Sequence, residues 1–303
     1  MTDLPQRLSL REVGPRDGLQ NEAPVPTADK VALIEALSRT GVERIEAVSF
    51  VHPKAIPQMA DAAEVWAAVE RRAGVRSSAV VPNLTGARRA LDAGCTEIEV
   101  VVSASDTHNR KNLNRSTEES LDDIAAMMEV VHSRGATCQV IVSTAWGCPY
   151  EGDVPVDRVL AVAGRALRDG ADGLSYGDTT GMATPSRVTR LVGETRMANP
   201  GVPLNLHFHN TRGTGLANVL AALQLGVGDF DASVGGLGGC PYAPGATGNI
   251  ATEELVHMVE DLGVATGVDL EAMIEVAAQA ERIVGRTLPS QVLRAGPRTR
   301  TIT

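Results

Sequence analysis

The stretch EVGPRDGLQNE at residues 12–22 sets Arg16 beside Asp17. Its glycines and proline fix a tight loop that would hold both charged heads together. Much later, His207 and His209 flank a single Phe208. On a strand, residues i and i+2 share a face, so the two imidazoles project together and read as metal ligands. Residues 234–249 then run VGGLGGCPYAPGATGN, a glycine- and proline-rich loop that can bend sharply, move over a substrate or cradle phosphate. Cys240 inside that loop is the reactive thiol candidate. Asn249 closes the loop, where its amide oxygen would ligate a hard cation or cap the next helix. Glu46 and Asp178 add carboxylates at two further strand ends, as site acids or as helix caps and hydrogen-bond acceptors. Asp, two His and an Asn form an oxygen and nitrogen donor set without thiolate, which suits Mg2+ or Mn2+. Zinc would more often show Cys or a third His.

The remaining candidates carry weaker signals. Cys138 lies in a predicted strand and Cys95 just before one, so both read as structural. Cys148, in a second GCPY stretch, is the competitor to Cys240. His132 and His257 fall on helical patterns, whereas His52 and His108 fall in loops that could touch substrate. A basic run at residues 110–115, read as a loop, would bind a polyanion or simply lie in solvent.

Positioning such scattered residues takes a repeating scaffold. Strand patterns fall at residues 8–13, 44–50, 75–81, 97–103, 137–143, 172–176, 204–208 and 229–234, starting about 32 residues apart on average. That is the size of one βαβ unit. Between them, Thr27 reads as an N-cap, and Gly41, Gly94, Gly135, Gly170 and Gly226 each end a helix. Ser116 and Glu119 form a capping box. Helical patterns at 249–262 and 270–286 close the chain, and the tail 294–303 reads as mobile or held by a partner subunit. The expected fold class is α/β, a (β/α)8 TIM barrel with an additional C-terminal helix, in one domain over residues 1–303. An open doubly wound sheet would need GxGxxG after the first strand, and that motif is absent there. In such barrels the chemistry lies where the strands end.

Composition narrows the function. The chain has 303 residues, a formal charge of −9 and only 3% aromatic residues. The acidic balance argues against nucleic-acid binding, and the scarce aromatics against a base-stacking platform. No apolar run reaches membrane-spanning length and no leader pattern opens the sequence, so a cytoplasmic location is expected. Four cysteines without a CxxC pair fit a reducing compartment.

Five stretches resemble the 3-hydroxy-3-methylglutaryl-CoA lyases, a group of DRE-type metal-dependent TIM-barrel lyases. They are EVGPRDGLQNE (12–22), IEAVSFVHPKAIPQM (45–59), CPYEG (148–152), GDT (177–179) and GLGGCPYAPGATGNIATEEL (236–255). The resemblance covers nearly the whole chain. It implies that Asp17, His207, His209 and Asn249 bind the divalent cation, Mg2+ or Mn2+. Arg16 would stabilise an enolate, Cys240 would be the catalytic thiol, and Glu46 and Asp178 would be site carboxylates. Gln20, Ser49 and Ser175 would join Arg16 in binding an acyl-CoA thioester, and the protein would be a homodimer. The general base would be Asp17 or His207. One stretch departs: the lyases read HxHDTYG where this chain reads HFHNTRG (207–213). HxHN is nearer to Claisen-type synthases such as isopropylmalate synthase, the alternative reading. Arg212 would then bring a cation near the ligands, to meet a substrate carboxylate or an acid behind them.

Overall fold

The computed structural model describes residues 4–239 and 247–301. Its strands are β1 (Ser9–Glu12), β2 (Arg44–Ser49), β3 (Arg76–Val81), β4 (Glu97–Ser103), β5 (Thr137–Ser143), β6 (Gly173–Gly177), β7 (Leu204–His207) and β8 (Asp229–Ala232). Each pairs in parallel with the next, and β8 closes on β1. The expected barrel forms, with strand positions within a few residues of the sequence pattern.

Helices follow the strands: α1 (Thr27–Ser38), α2 (Ala62–Ala68), α3 (Leu84–Asp92), α4 (Asp106–Leu113), α5 (Thr117–Ser133), α6 (Val156–Arg168), α7 (Pro185–Ala198), α8 (Gly215–Leu223) and α9 (Thr252–Asp261). The additional C-terminal helix is α10 (Leu270–Val284), and a short α11 (Gln291–Ala295) follows it. The five glycines expected to end helices all take positive φ, and Ser116 and Glu119 make both halves of their capping box. Thr27 does not cap α1. It is the first helical residue, and its hydroxyl donates to Asp61 (2.7 Å). The basic run at 110–115 is mostly not a loop, since Arg110 and Lys111 lie on the last turn of α4. The described part of the tail lies on its own chain, where Arg294, Arg298 and Arg300 pair with Glu281, Asp261 and Glu271.

The barrel interior is unusual in its chemistry. Such interiors are ordinarily filled by branched aliphatic side chains. Here Arg11 on β1 reaches Gln139 on β5, Glu99 on β4 and Asp231 on β8. Strands that are not neighbours can share such contacts only through the barrel's inside. The alternate residues, among them Leu10, Ile98, Val140, Leu206 and Phe230, are buried apolar groups facing the helices. A buried charge network of this kind is tolerable only when geometry and hydrogen bonds repay desolvation.

Candidate active site

After β1 the chain turns at once. Val13 O accepts the amides of Arg16, Asp17 and Gly18, making one π-helical turn over Gly14–Gly18. Glu12 braces that turn from below. Its Oε1 accepts from the amides of Gly14 (2.8 Å) and Val234 (2.9 Å), and its Oε2 from Thr252 Oγ1 (2.5 Å). The turn at the first strand end and the start of the glycine loop are thereby tied to one buried carboxyl. Burial pushes Glu12 up to about 7 against those hydrogen bonds.

Arg16 lies at the rim between two acids, its Nε donating to Glu46 Oε1 and its Nη1 to Asp17 Oδ1 (2.8 Å). Gln20 also donates to Asp17 Oδ1 (2.8 Å). Burial works to raise Asp17, but the Arg16 guanidinium and the Asn249 hydrogen bond hold it below the ordinary carboxylate range. Glu46 goes the other way: burial and the neighbouring Glu99 carboxylate raise it, with Arg16 opposing.

His207 ends β7, and His209 follows with its ring centroid 5.1 Å from that of His207. The glycine loop returns alongside: Asn210 N donates to Gly248 O (2.6 Å) and Ile250 N to Phe208 O (3.3 Å). This pairing delivers Asn249 to Asp17, whose Oδ2 accepts from Asn249 Nδ2 (2.8 Å). Asn249 is therefore not an N-cap, because α9 starts at Thr252 with Ala251 in the cap position. Gly238 leaves the necessary room, since a Cβ there would lie 2.8 Å from Asn249 Nδ2.

The structure thus brings together all four residues that the resemblance marks as cation ligands. One ligand atom from each of Asp17, His207 and His209 lies within 4.8 Å of the others. Burial, with His207 adding to it, pushes His209 down to about 3, so its imidazole is neutral and free to offer a lone pair. Asn249 Oδ1 and His209 Nδ1 are buried without hydrogen-bond partners. An orphaned buried polar atom costs about 1–3 kcal/mol, which a bound cation would offset. The donor set fits a hard divalent ion.

Other expected site residues take different places. Asp178 follows β6, and its Oδ1 accepts from the amides of Met182 (2.7 Å) and Ala183 (3.0 Å). Burial raises it to about 6 despite those bonds. Ser49 is buried at the end of β2. Ser175 sits inside the barrel, and its Oγ accepts from Asn205 (3.0 Å). Cys240 lies outside the described residues. Cys148 is buried and bonded to Ser105 (3.0 Å) and the Tyr150 amide (3.3 Å). His108 is on α4, buried against Ser103 (3.0 Å), while His52 accepts the Lys54 amide in a surface loop (3.2 Å).

The departure at HFHNTRG also resolves. Arg212 donates to the backbone carbonyls of Thr180 (2.6 Å) and Gly181 (3.1 Å). Asn210 Oδ1 accepts the Gly215 amide (3.2 Å) at the start of α8. Both residues tie loops together. Sequence reading passed over Arg11, Glu99 and Asp231, which lie beneath the rim. The polar–apolar–polar pattern Asp229-Phe230-Asp231 on β8 was the available signal.

The HMGL-like family matches residues 7–279. The chain is 46% identical to the hydroxymethylglutaryl-CoA lyase YngG of Bacillus subtilis, over 96% of this chain and 97% of that protein. It is 43% identical to the (R)-citramalyl-CoA lyase of Chloroflexus aurantiacus, over 96% of each. A solved structure of an HMG-CoA lyase from Acinetobacter baumannii, in complex with coenzyme A and 3-methylmalate, is 43% identical with a TM-score of 0.94. That match covers 100% of this chain and 99% of the other. The chain belongs to the HMGL-like family.

Proposed function

We propose that this protein is a divalent-cation-dependent carbon–carbon lyase acting on 3-hydroxy-3-methylglutaryl-CoA or a close 3-hydroxy-3-substituted acyl-CoA. The products are acetyl-CoA and the matching 3-oxo acid, which is acetoacetate for the methylglutaryl substrate. The observation that carries the reading is the convergence of Asp17, His207, His209 and Asn249 beside Arg16. The lyase relatives support it, and residues 1–303 act as one domain. A homodimer and a cytoplasmic location belong to the same reading. No helix among the described residues is long and apolar enough to cross a membrane.

Asp17, His207, His209 and Asn249 would hold the cation, with Mg2+ or Mn2+ matching the donor set. When bound, it supplies Lewis acidity that lowers the pKa of a substrate hydroxyl. Of the two candidate bases, Asp17 takes the C3 hydroxyl proton, because His207 has Nδ1 against Asp231 and Nε2 turned to the cation site. The C2–C3 bond then breaks, its electron pair moving into the thioester to make the acetyl-CoA enolate. Arg16, pinned by Glu46 and Asp17, presents a fixed guanidinium to that oxyanion. Cys240 gives its thiol proton to C2, the thiolate takes one back from solvent, and the base releases the hydroxyl proton to solvent.

The Claisen-type synthase alternative is not favoured, because the similar proteins named above are lyases. The relatives still differ in acyl group, so the assay is a panel. Incubation with 3-hydroxy-3-methylglutaryl-CoA and Mg2+ should release acetoacetate, with citramalyl-CoA as comparator. Acetyl-CoA offered with 2-oxo acids should release no free CoA. The reverse pattern would replace the lyase with a synthase.

A further inference from the structure

We propose that Asp231 is a positioning residue that sets the orientation and tautomer of His207, and that Arg11 holds Asp231 in place for that task. The proposal rests on the cation reading above and deepens it. Asp231 is buried on β8, directly across from His207 in the β7–β8 register. Its Oδ2 faces His207 Nδ1 at 3.1 Å. Three other donors surround the same carboxylate. Arg11 Nε reaches Oδ1 at 2.8 Å, Arg11 Nη2 reaches Oδ2 at 2.9 Å, and Asn205 Nδ2 reaches Oδ1 at 2.8 Å. Guanidinium and amide N–H groups can only donate, and the Arg11 guanidinium held against both oxygens favours the ionised carboxylate. The carboxylate is therefore an acceptor only, and the His207 proton must sit on Nδ1. In the neutral ring, the form that can bind a cation, that leaves the Nε2 lone pair bare, and Nε2 is the nitrogen turned toward Asp17, 4.0 Å from its Oδ2.

Arg11 is itself fixed at its far end by Glu99 Oε2 (2.5 Å) and Gln139 Oε1 (2.8 Å). The chain of contacts runs from β4 and β5 through Arg11 and Asp231 to the imidazole. Arg11 and Asp231 would act on the cation through His207. Carboxylate partners of ligating histidines fix ring orientation and raise ligand basicity, and their loss typically costs 10–100-fold in metal affinity.

The test uses the full-length protein, stripped of metal with a chelator and titrated with Mn2+ alone by EPR. Asp231→Asn should weaken Mn2+ binding about 10–100-fold while circular dichroism shows an intact fold. In a His207→Ala background the same substitution should have almost no further effect, because its route to the ion is gone. A folded D231N protein with wild-type Mn2+ affinity, or losses that simply add in the double variant, would overturn the proposal. Should D231N not fold, nitrogen NMR of imidazole-labelled wild-type protein decides. The His207 signal, assigned by its loss in His207→Gln, should show a protonated Nδ1 and a bare Nε2. The opposite tautomer overturns the proposal. A wild-type protein that binds no Mn2+ overturns the cation reading instead, and the tautomer measurement then stands or falls separately.

Discussion

The interior carboxylate of Asp231 and the rim groups of Asn249 and His209 are satisfied in opposite ways. Inside, Asp231 has Arg11, Asn205 and His207 around its two oxygens. At the rim, past the ends of the strands, Asn249 Oδ1 and His209 Nδ1 are buried and have no hydrogen-bond partner. A filled set of partners makes a rigid support and leaves no capacity to bind. An unfilled set costs folding free energy and retains lone pairs for a ligand. The contrast teaches that burial of charge alone does not mark a site. The useful mark is a buried acceptor left unsatisfied beside groups that are held still.

That contrast predicts a division of effects: changes at the rim should remove activity, and stranding a charge inside should remove stability. The largest loss is expected for Cys240→Ser, where kcat should fall about 10²–10⁴-fold with Mn2+ affinity unchanged. Substantial activity in the C240S protein would shift the thiol role toward Cys148. Next, Arg11→Met strands Asp231 and Glu99 as unpaired buried charges, which should cost about 3–5 kcal/mol in urea unfolding. A neutral result there would dissolve the distinction between the two regions. Arg16→Lys keeps the charge but loses the planar fork, so kcat should drop about 10²–10³-fold at an unchanged melting temperature. Normal cleavage by R16K would remove Arg16 from the enolate role.

The smallest effect concerns the junction between rim and interior. Glu12 is pushed up to about 7 by burial, so the folded state keeps its proton where the unfolded chain has released it. Stability should therefore fall as pH rises from about 4.5 to 7, by at most about 1.4 kcal/mol per pH unit for this one group. Glu253, also raised by burial to about 7, adds a slope of the same sign. Glu12→Gln retains the carbonyl acceptor for Gly14 and Val234 and should flatten the profile. An unchanged slope in urea titrations across that range would show that Glu12 ionises normally.

Much of this was legible beforehand. The strands announced themselves through β-branched runs at a regular interval, and the helix ends through glycines that the backbone does place at positive φ. Asp17, His207 and His209 could be picked out because each stands at a strand end in a stretch with few other roles. Other readings failed for a common reason. The cap alternative for Asn249 came from local spacing, and the site-cation expectation for Arg212 from its place in a motif. Their actual partners, Asp17 and the Thr180 carbonyl, lie on other strands' loops.

The amino-acid order alone determined the alternation of strand and helix, the polarity of each strand end and the inventory of groups able to bind a cation. Those follow from local periodicity and residue chemistry. Only barrel closure decided which of them meet. Arg11 and Asp231 are separated by 220 positions, Asp17 and Asn249 by 232, and Glu12 and Thr252 by 240. Such contacts are set by the register between β8 and β1 and by the path of the returning loop, geometry that exists only when the last strand joins the first.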